Sequence, residues 1–273
     1  MNFINVKGNL VSIETPLVMG IINITTDSFY VESRHSTIDN VLLTAEKMIE
    51  DGASILDIGG QSTRPGSTVI GDDDECNAIL PAIEAIAKRF PQIVISVDTY
   101  YSKVAGLACD AGAGIVNDIS GGFDENMFTT VANKKAVYIL MHIKGDPSTM
   151  HTLNSYNNIV PDITDYMVTK TASCRQAGIK DVIADIGIGF SKTLEDNYYL
   201  LNHLDEFKVL HMPLLVGISR KSFIYKLLQT DAANALNGTS ALHLLSLMKG
   251  ANLLRVHDVK EAVEIIKIAQ ALG

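Results

Sequence analysis

The sequence predicts an α/β fold, a (β/α)8 TIM barrel with a short N-terminal β-hairpin. Three observations carry that reading. Short, continuously apolar runs rich in β-branched residues alternate along the chain with amphipathic segments of helical period. The runs number eight, which is what a closed barrel needs. The chain has 273 residues and no linker rich in Pro or Ser, a length at which such barrels form one domain. An open doubly wound sheet is the rival, but no Gly-x-Gly-x-x-Gly follows the first barrel strand. Residues 1–273 therefore read as a single domain.

Taken in order, the first dozen residues form the hairpin, set to plug the N-terminal face of the barrel. The barrel strands then run Leu17 to Asn23, Ser54 to Gly59, Ile93 to Asp98, Gly114 to Asp118, Ala136 to Met141, Asp181 to Asp185, Pro213 to Gly217 and Asn252 to Val256. Gly or polar residues bound them, as expected of strands buried on both faces. After the first, Ile38, Val41, Leu42, Ala45, Met48 and Ile49 recur at three and four within Thr37 to Gly52 and make one helical stripe. Ser36 or Thr37 caps its start and Gly52 ends it. The acidic run Asp72 to Glu75 reads as a helix N-terminus, where negative charge is favoured. Pro81, inside the helical pattern Glu75 to Phe90, predicts a late start or a kink. The last helix repeats the stripe with Val259, Val263, Ile266 and Leu272.

Composition narrows the function. Hydrophobic residues at 47% exclude disorder. Twenty-two basic residues against 31 acidic give a net charge of −9, the wrong sign for a non-specific nucleic-acid binder. An anionic ligand must then be held by a local cluster set against a repulsive overall field. Cys76, Cys109 and Cys174 lie far apart and are odd in number, which argues for packed thiols in a reducing cytoplasm rather than disulfides or a metal site. No apolar run reaches the length of a membrane span, and the N-terminus lacks a signal-peptide pattern. A cytoplasmic protein with no nucleic-acid or membrane partner is expected.

Parallel barrels place their active sites at the C-terminal ends of the strands. The polar residues there are Asn23, Asp57, Asp98, Asn117 with Asp118, His142, Asp185, then Ser219-Arg220-Lys221-Ser222, then Arg255 and His257. A lone strand-end Asp commonly caps a helix or bonds a loop N–H. A polar residue on nearly every strand, all delivered to one mouth, is a different matter, because buried polar groups cost free energy unless paired or used. Asp98, Asn117 and Asp185 offer acceptors suited to a flat heterocycle with adjacent N–H groups. Lys221, Arg255 and His257 offer donors late in the chain, where such barrels often hold phosphate. Arg255 and His257 share one face of an extended segment. A polyanion beside Asn23 and Asp27 would recruit a hard cation such as Mg²⁺. For Lys221 a Schiff-base role stands as the alternative, with Arg220 available to lower its pKa. Two long loops, after Asn23 and after Gly59, read as binding elements or lids.

With these residues in order, the chain resembles the dihydropteroate synthase family along nearly its whole length. The matching segments are Gly20 to Phe29, Asp57 to Gly66 with its Ser-Thr-Arg-Pro-Gly run, Ser96 to Thr99, Asn117 to Ile119, Met141-His142, Asp185 to Phe190, Ser219 to Ser222 and Arg255 to Asp258. The resemblance implies condensation of 6-hydroxymethyl-7,8-dihydropterin pyrophosphate with 4-aminobenzoate. It implies pterin contacts from Asp98, Asn117, Ile119, Met141, Asp185, Phe190 and Lys221, and pyrophosphate contacts from Asn23, Arg255 and His257. It also implies Mg²⁺ at Asn23 and Asp27, and a 4-aminobenzoate pocket from Phe29, Thr63, Arg64, Pro65, Phe190 and Ser222. Asp98, Lys221, Arg255 and His257 would be the catalytic set, sulfonamides the inhibitors, and a homodimer the assembly, with Leu242, Leu245 and Met248 either at its interface or in the core. Thr26 and Ile186 stand where the family usually has proline. Two alternatives remain: a pterin-binding methyltransferase of the same barrel lineage, and a non-catalytic pterin-binding relative.

Overall fold

A computed structural model of the chain describes residues 3–24, 34–61, 70–145, 149 and 154–273. Strands β1 (Phe3–Val6) and β2 (Asn9–Ser12) pair antiparallel. Eight parallel strands follow: β3 (Leu17–Asn23), β4 (Ile55–Gly59), β5 (Val94–Asp98), β6 (Ile115–Asp118), β7 (Val137–Met141), β8 (Val182–Asp185), β9 (Leu214–Val216) and β10 (Leu253–Val256). They close in chain order, β10 pairing with both β9 and β3. Each expected run is found, shortened by a residue or so at its ends. The helices around them are α1 (Arg34–Glu50), α2 (Asp72–Arg89), α3 (Ser102–Ala111), α4 (Met127–Lys134), α5 (Ile159–Ala177), α6 (Leu194–Asn202), α7 (Ser222–Leu227), α8 (Leu236–Met248) and α9 (Val259–Leu272). Among the described residues no helix is long and apolar enough to cross a membrane.

The period of two along each strand sorts the barrel into an inside and an outside. Inward residues are apolar toward the N-terminal end: Met19, Ile55, Ile115, Val137, Ile139, Ile183, Leu215 and Leu253 form one cluster with Ile4, Val6 and Ile13 of the hairpin segment. The hairpin thus closes the bottom of the barrel. Outward residues such as Leu56, Ile58, Val97, Val116, Leu140 and Val256 pack against the helix stripes in a second cluster. Continuing the inward phase upward leads from Ile55 to Asp57, from Ile115 to Asn117, from Ile183 to Asp185 and from Leu253 to Arg255. The runs look uniformly apolar because their outward residues are covered too, yet the inward phase turns polar at the mouth.

Three local expectations change. Helix α1 begins at Arg34, ahead of the expected Ser36 or Thr37 cap. Helix α2 begins at Asp72 and continues through Pro81, because its buried Ile79, Ala82, Ile83 and Ile86 offset the backbone hydrogen bond that proline removes. Leu272, assigned to the stripe of α9, is 60% exposed. The acidic run does form the first turn of α2, with Asp72 and Asp73 on Lys103 at 3.1 and 2.6 Å. Its last member departs from the rest: Glu75 is buried, accepts from Thr99 Oγ1 at 2.9 Å, and is pushed up to about 7 by burial.

Candidate active site

The polar inward residues at the barrel mouth meet across the axis. Arg255 of β10 donates through Nε to Asp57 of β4 at 2.6 Å and through Nη2 to Asp98 of β5. The same Asp57 oxygen receives Asn117 Nδ2 of β6 at 3.0 Å. Register places the partners: Asp98 lies opposite Asn117, and the Arg255 row runs through Met19 to Ile55, so Asp57 stands two residues above it in the same inward phase. One guanidinium therefore serves two buried carboxylates. Burial, opposed by Arg255 and reinforced by Asp57, pushes Asp98 up to about 7.

Asp185 ends β8 and is buried. Its Oδ1 accepts from Gly187 N at 2.7 Å, a tight turn that starts the loop to α6. Burial raises its pKa against the pull of Lys221, the Gly187 N–H, Lys192 and Arg255. Gly187 and Gly189 both have positive φ, 70° and 89°, which glycine adopts without strain. A Cβ at Gly189 would stand 2.7 Å from Lys221 Cδ, so the loop lies directly on that lysine. Lys221, at the N-cap position of α7, donates to Ile188 O and sits 4.1 Å from the centre of the Phe190 ring. Burial lowers its pKa to about 8. Arg220 turns the other way. Its Nε and Nη2 bind Asp258 at 2.8 and 2.9 Å, so it ties the β9 and β10 loops together rather than serving Lys221.

An apolar wall completes the cleft, where Ile119, Met141 and Ile143 pack with Tyr100 and Phe190. The structure thus brings together Asp98, Asn117, Asp185, Lys221 and Arg255 with Ile119, Met141 and Phe190. Asn23, Ser222 and His257 lie at the rim, exposed. His257 Nδ1 is 3.1 Å from Ser219 Oγ. Arg255 is held inside the barrel on two carboxylates, while His257 is exposed at the rim. Asp27, Phe29, Thr63, Arg64 and Pro65, with Thr26, lie outside the described residues. The ends of the second long loop are tied: Gln61 Nε2 donates to Ile70 O at 2.7 Å and Tyr101 OH to the same oxygen at 3.0 Å.

Sequence reasoning missed several residues. Asp57 was legible as a strand end in phase with Ile55, but not as the acceptor shared by Arg255 and Asn117. Tyr100 and Ile143 follow strand ends and carried no distinct signal. Lys192 carried no sequence signal, yet its Nζ donates to Gly187 O and Phe190 O at 2.9 and 3.0 Å and lies 3.1 Å from His142 Nδ1. Asp118 proves structural. It accepts from Ser120 N, Gly122 N and Tyr138 OH at 2.7, 2.9 and 2.7 Å and so shapes the loop that presents Ile119. Ile186, in place of the family's usual proline, is buried against the outer core.

Comparison with known proteins gives one answer. The family model described as pterin binding enzyme matches residues 19–257. The dihydropteroate synthase of Escherichia coli K12 is 39% identical over 267 residues, covering 97% of this chain and 94% of that one. Among solved structures, the Yersinia pestis dihydropteroate synthase in a sulfonamide drug complex superposes with a TM-score of 0.92 at 36% identity, covering 99% of this chain and 98% of that one. The Xanthomonas albilineans dihydropteroate synthase with 4-aminobenzoic acid gives 0.91 at 34% identity over the same shares. The chain belongs to the pterin-binding enzymes and, within them, to the dihydropteroate synthases.

Proposed function

We propose that this chain condenses 6-hydroxymethyl-7,8-dihydropterin pyrophosphate with 4-aminobenzoate to give 7,8-dihydropteroate and pyrophosphate. The observation that carries the reading is the meeting of Asp98, Asn117, Asp185 and Lys221 at one barrel mouth, beside the Ile119, Met141 and Phe190 wall. The acceptors take the N–H groups of the pterin, Lys221 donates to its acceptor edge, and the apolar wall covers its face. Asn23 and His257 at the rim, with Nη1 of Arg255, receive the pyrophosphate.

Asn23, exposed at the end of β3, offers the single hard oxygen that suits a Mg²⁺ arriving with the pyrophosphate and keeping most of its waters. Asp27 would be the second ligand. When bound, Mg²⁺ supplies charge neutralisation of the leaving group. Pyrophosphate departs in an SN1-like step, and the methylene carbon becomes a cation conjugated to the ring. Asp98 stabilises that charge electrostatically. The aryl amine of 4-aminobenzoate then attacks from a pocket formed by Phe29, Thr63, Arg64, Pro65, Phe190 and Ser222, with water excluded. No covalent enzyme nucleophile takes part, so Lys221 acts as a donor and not as a Schiff base. Sulfonamides, which present the outline of 4-aminobenzoate, are the expected inhibitors.

The test is pyrophosphate release from the pterin substrate at varied Mg²⁺, with and without 4-aminobenzoate. Release should be fast with both substrates and slow, by hydrolysis, with the pterin alone. Absence of release, or methyl transfer from a methylated folate instead, overturns the reading.

A pH profile follows from the same site. Asp98 must be ionised, so kcat/KM should rise with pH through about 7. Lys221 must be charged, so it should fall as pH passes about 8. The free-enzyme profile is then a narrow bell, and Lys221→Arg should remove its alkaline limb. An alkaline limb unchanged in that variant assigns the titration elsewhere.

The chain is further proposed to act in the cytoplasm, in keeping with its three free, buried cysteines. It is also proposed to form a homodimer through α7 and α8. Leu227, Leu228 and Met248 are 55%, 50% and 52% exposed there and support this. Leu242 and Leu245, the other candidates, pack against the core.

A further inference from the structure

Lys192 is half-buried at the back of the site, and desolvation of its ammonium, which brings its pKa down to about 7, makes it a costly way to tie a loop. Its three acceptors come from two strand ends: Gly187 O and Phe190 O after β8, and His142 Nδ1 after β7. Three acceptors match the three N–H bonds of an ammonium, which has no lone pair to accept with. Facing the charged amine, His142 Nδ1 accepts, and its ring, held neutral by burial, then carries its proton on Nε2. On its other side the same loop meets Lys221, which takes Ile188 O and faces the Phe190 ring. The loop backbone thus lies between two lysines. A Cβ at Gly187 would stand 2.0 Å from His142 O and 3.3 Å from Lys192 Nζ, so nothing separates the backbone from this anchor.

We propose that Lys192 is a positioning residue for pterin recognition: by turning the Gly187 and Phe190 carbonyls away from the cleft, it sets Ile188 O against Lys221 and the Phe190 ring against the apolar wall. It also places a second cation behind Asp185. The groups facing Asp185 are then Lys192 from its own loop, Lys221 from the loop after β9 and Arg255 from β10. Those facing Lys192 are His142, Asp185, Asp196 and Lys221. The inference rests on reading Asp185, Phe190 and Lys221 as pterin residues, and its test separates the two.

Affinity for 6-hydroxymethyl-7,8-dihydropterin is measured by calorimetry for wild type, Lys192→Met, Lys192→Arg and Asp185→Asn, with melting temperature and both KM values alongside. Lys192→Met should lose about ten- to a hundredfold in pterin affinity, the scale on which outer partners of a binding residue act. Its pterin KM should rise more than its 4-aminobenzoate KM. Lys192→Arg should recover part of the loss. Wild-type pterin affinity in Lys192→Met, whatever its melting temperature, overturns the inference. If Asp185→Asn also binds as wild type, the pterin reading itself fails; if only Lys192→Met does, that reading stands and this one falls. A measurement on the unaltered protein covers a variant that does not fold: ¹⁵N shifts of His142 should show the proton on Nε2, and a proton on Nδ1 rules the anchor out.

Discussion

Asp185→Asn should bind the dihydropterin about ten- to a hundredfold more weakly than wild type, a loss of roughly 1.5–3 kcal/mol for one charge-assisted contact. The substitution isolates charge. Asparagine keeps the carbonyl oxygen that accepts Gly187 N, now at 2.7 Å, so the turn into the loop survives. What disappears is the negative charge that faces Lys221, Lys192 and Arg255. A carboxylate is also the better acceptor for two neighbouring N–H groups, since an amide presents one oxygen and one NH₂. Stability should hold or rise, because burial already penalises the ionised form of Asp185. Calorimetry with 6-hydroxymethyl-7,8-dihydropterin and a thermal melt decide the matter. A variant that melts like wild type and binds like wild type removes Asp185 from the site.

Arg255→Met should lose about 3–5 kcal/mol of folding stability, the usual consequence of stripping one partner from a buried ion pair, and nearly all turnover. Its guanidinium bridges Asp57 and Asp98 inside the barrel, and Asp57 is fully buried. Without it two carboxylates face each other in a low-dielectric interior, with Asn117 Nδ2 still donating to Asp57. Adding Asp57→Asn should restore much of the stability by removing one of those charges, while turnover stays low. Urea denaturation of the single and double variants measures the coupling. An Arg255→Met protein as stable as wild type would mean that the bridge contributes nothing to the fold. His257→Ala gives the contrast: exposed at the rim, it should slow turnover and leave the denaturation midpoint in place.

Part of this site was legible before any fold was known. Asp98, Asn117 and Asp185 each end an apolar run, and in a parallel barrel that position has one destination. Lys221 could be read in the same way, from its place after a short strand and before a helix. Lys192 could not. It follows a Gly-rich loop with no apolar run of its own, and its partners Gly187, Phe190 and His142 act through two carbonyls and a ring nitrogen, which residue types do not announce. Glu75 was hidden for the opposite reason. It stands in an acidic run whose first members behave as expected, and only the packing of α2 against β4 and β5 turns its side chain inward beside Thr99.

The amino-acid order alone determined the eight strands, the end of the barrel where chemistry gathers, and the acceptors and cations gathered there. All of these depend on periodicity and on which residues terminate a run, which are local properties. The tertiary structure decided the pairing. Arg255 and Asp57 are 198 positions apart, and they meet because barrel closure sets β10 beside β3 and β3 beside β4. Which charge neutralises which, and which lysine lies behind the loop rather than in front of it, are set by that closure: electrostatic energy depends on distance through space, and the chain records only distance along itself.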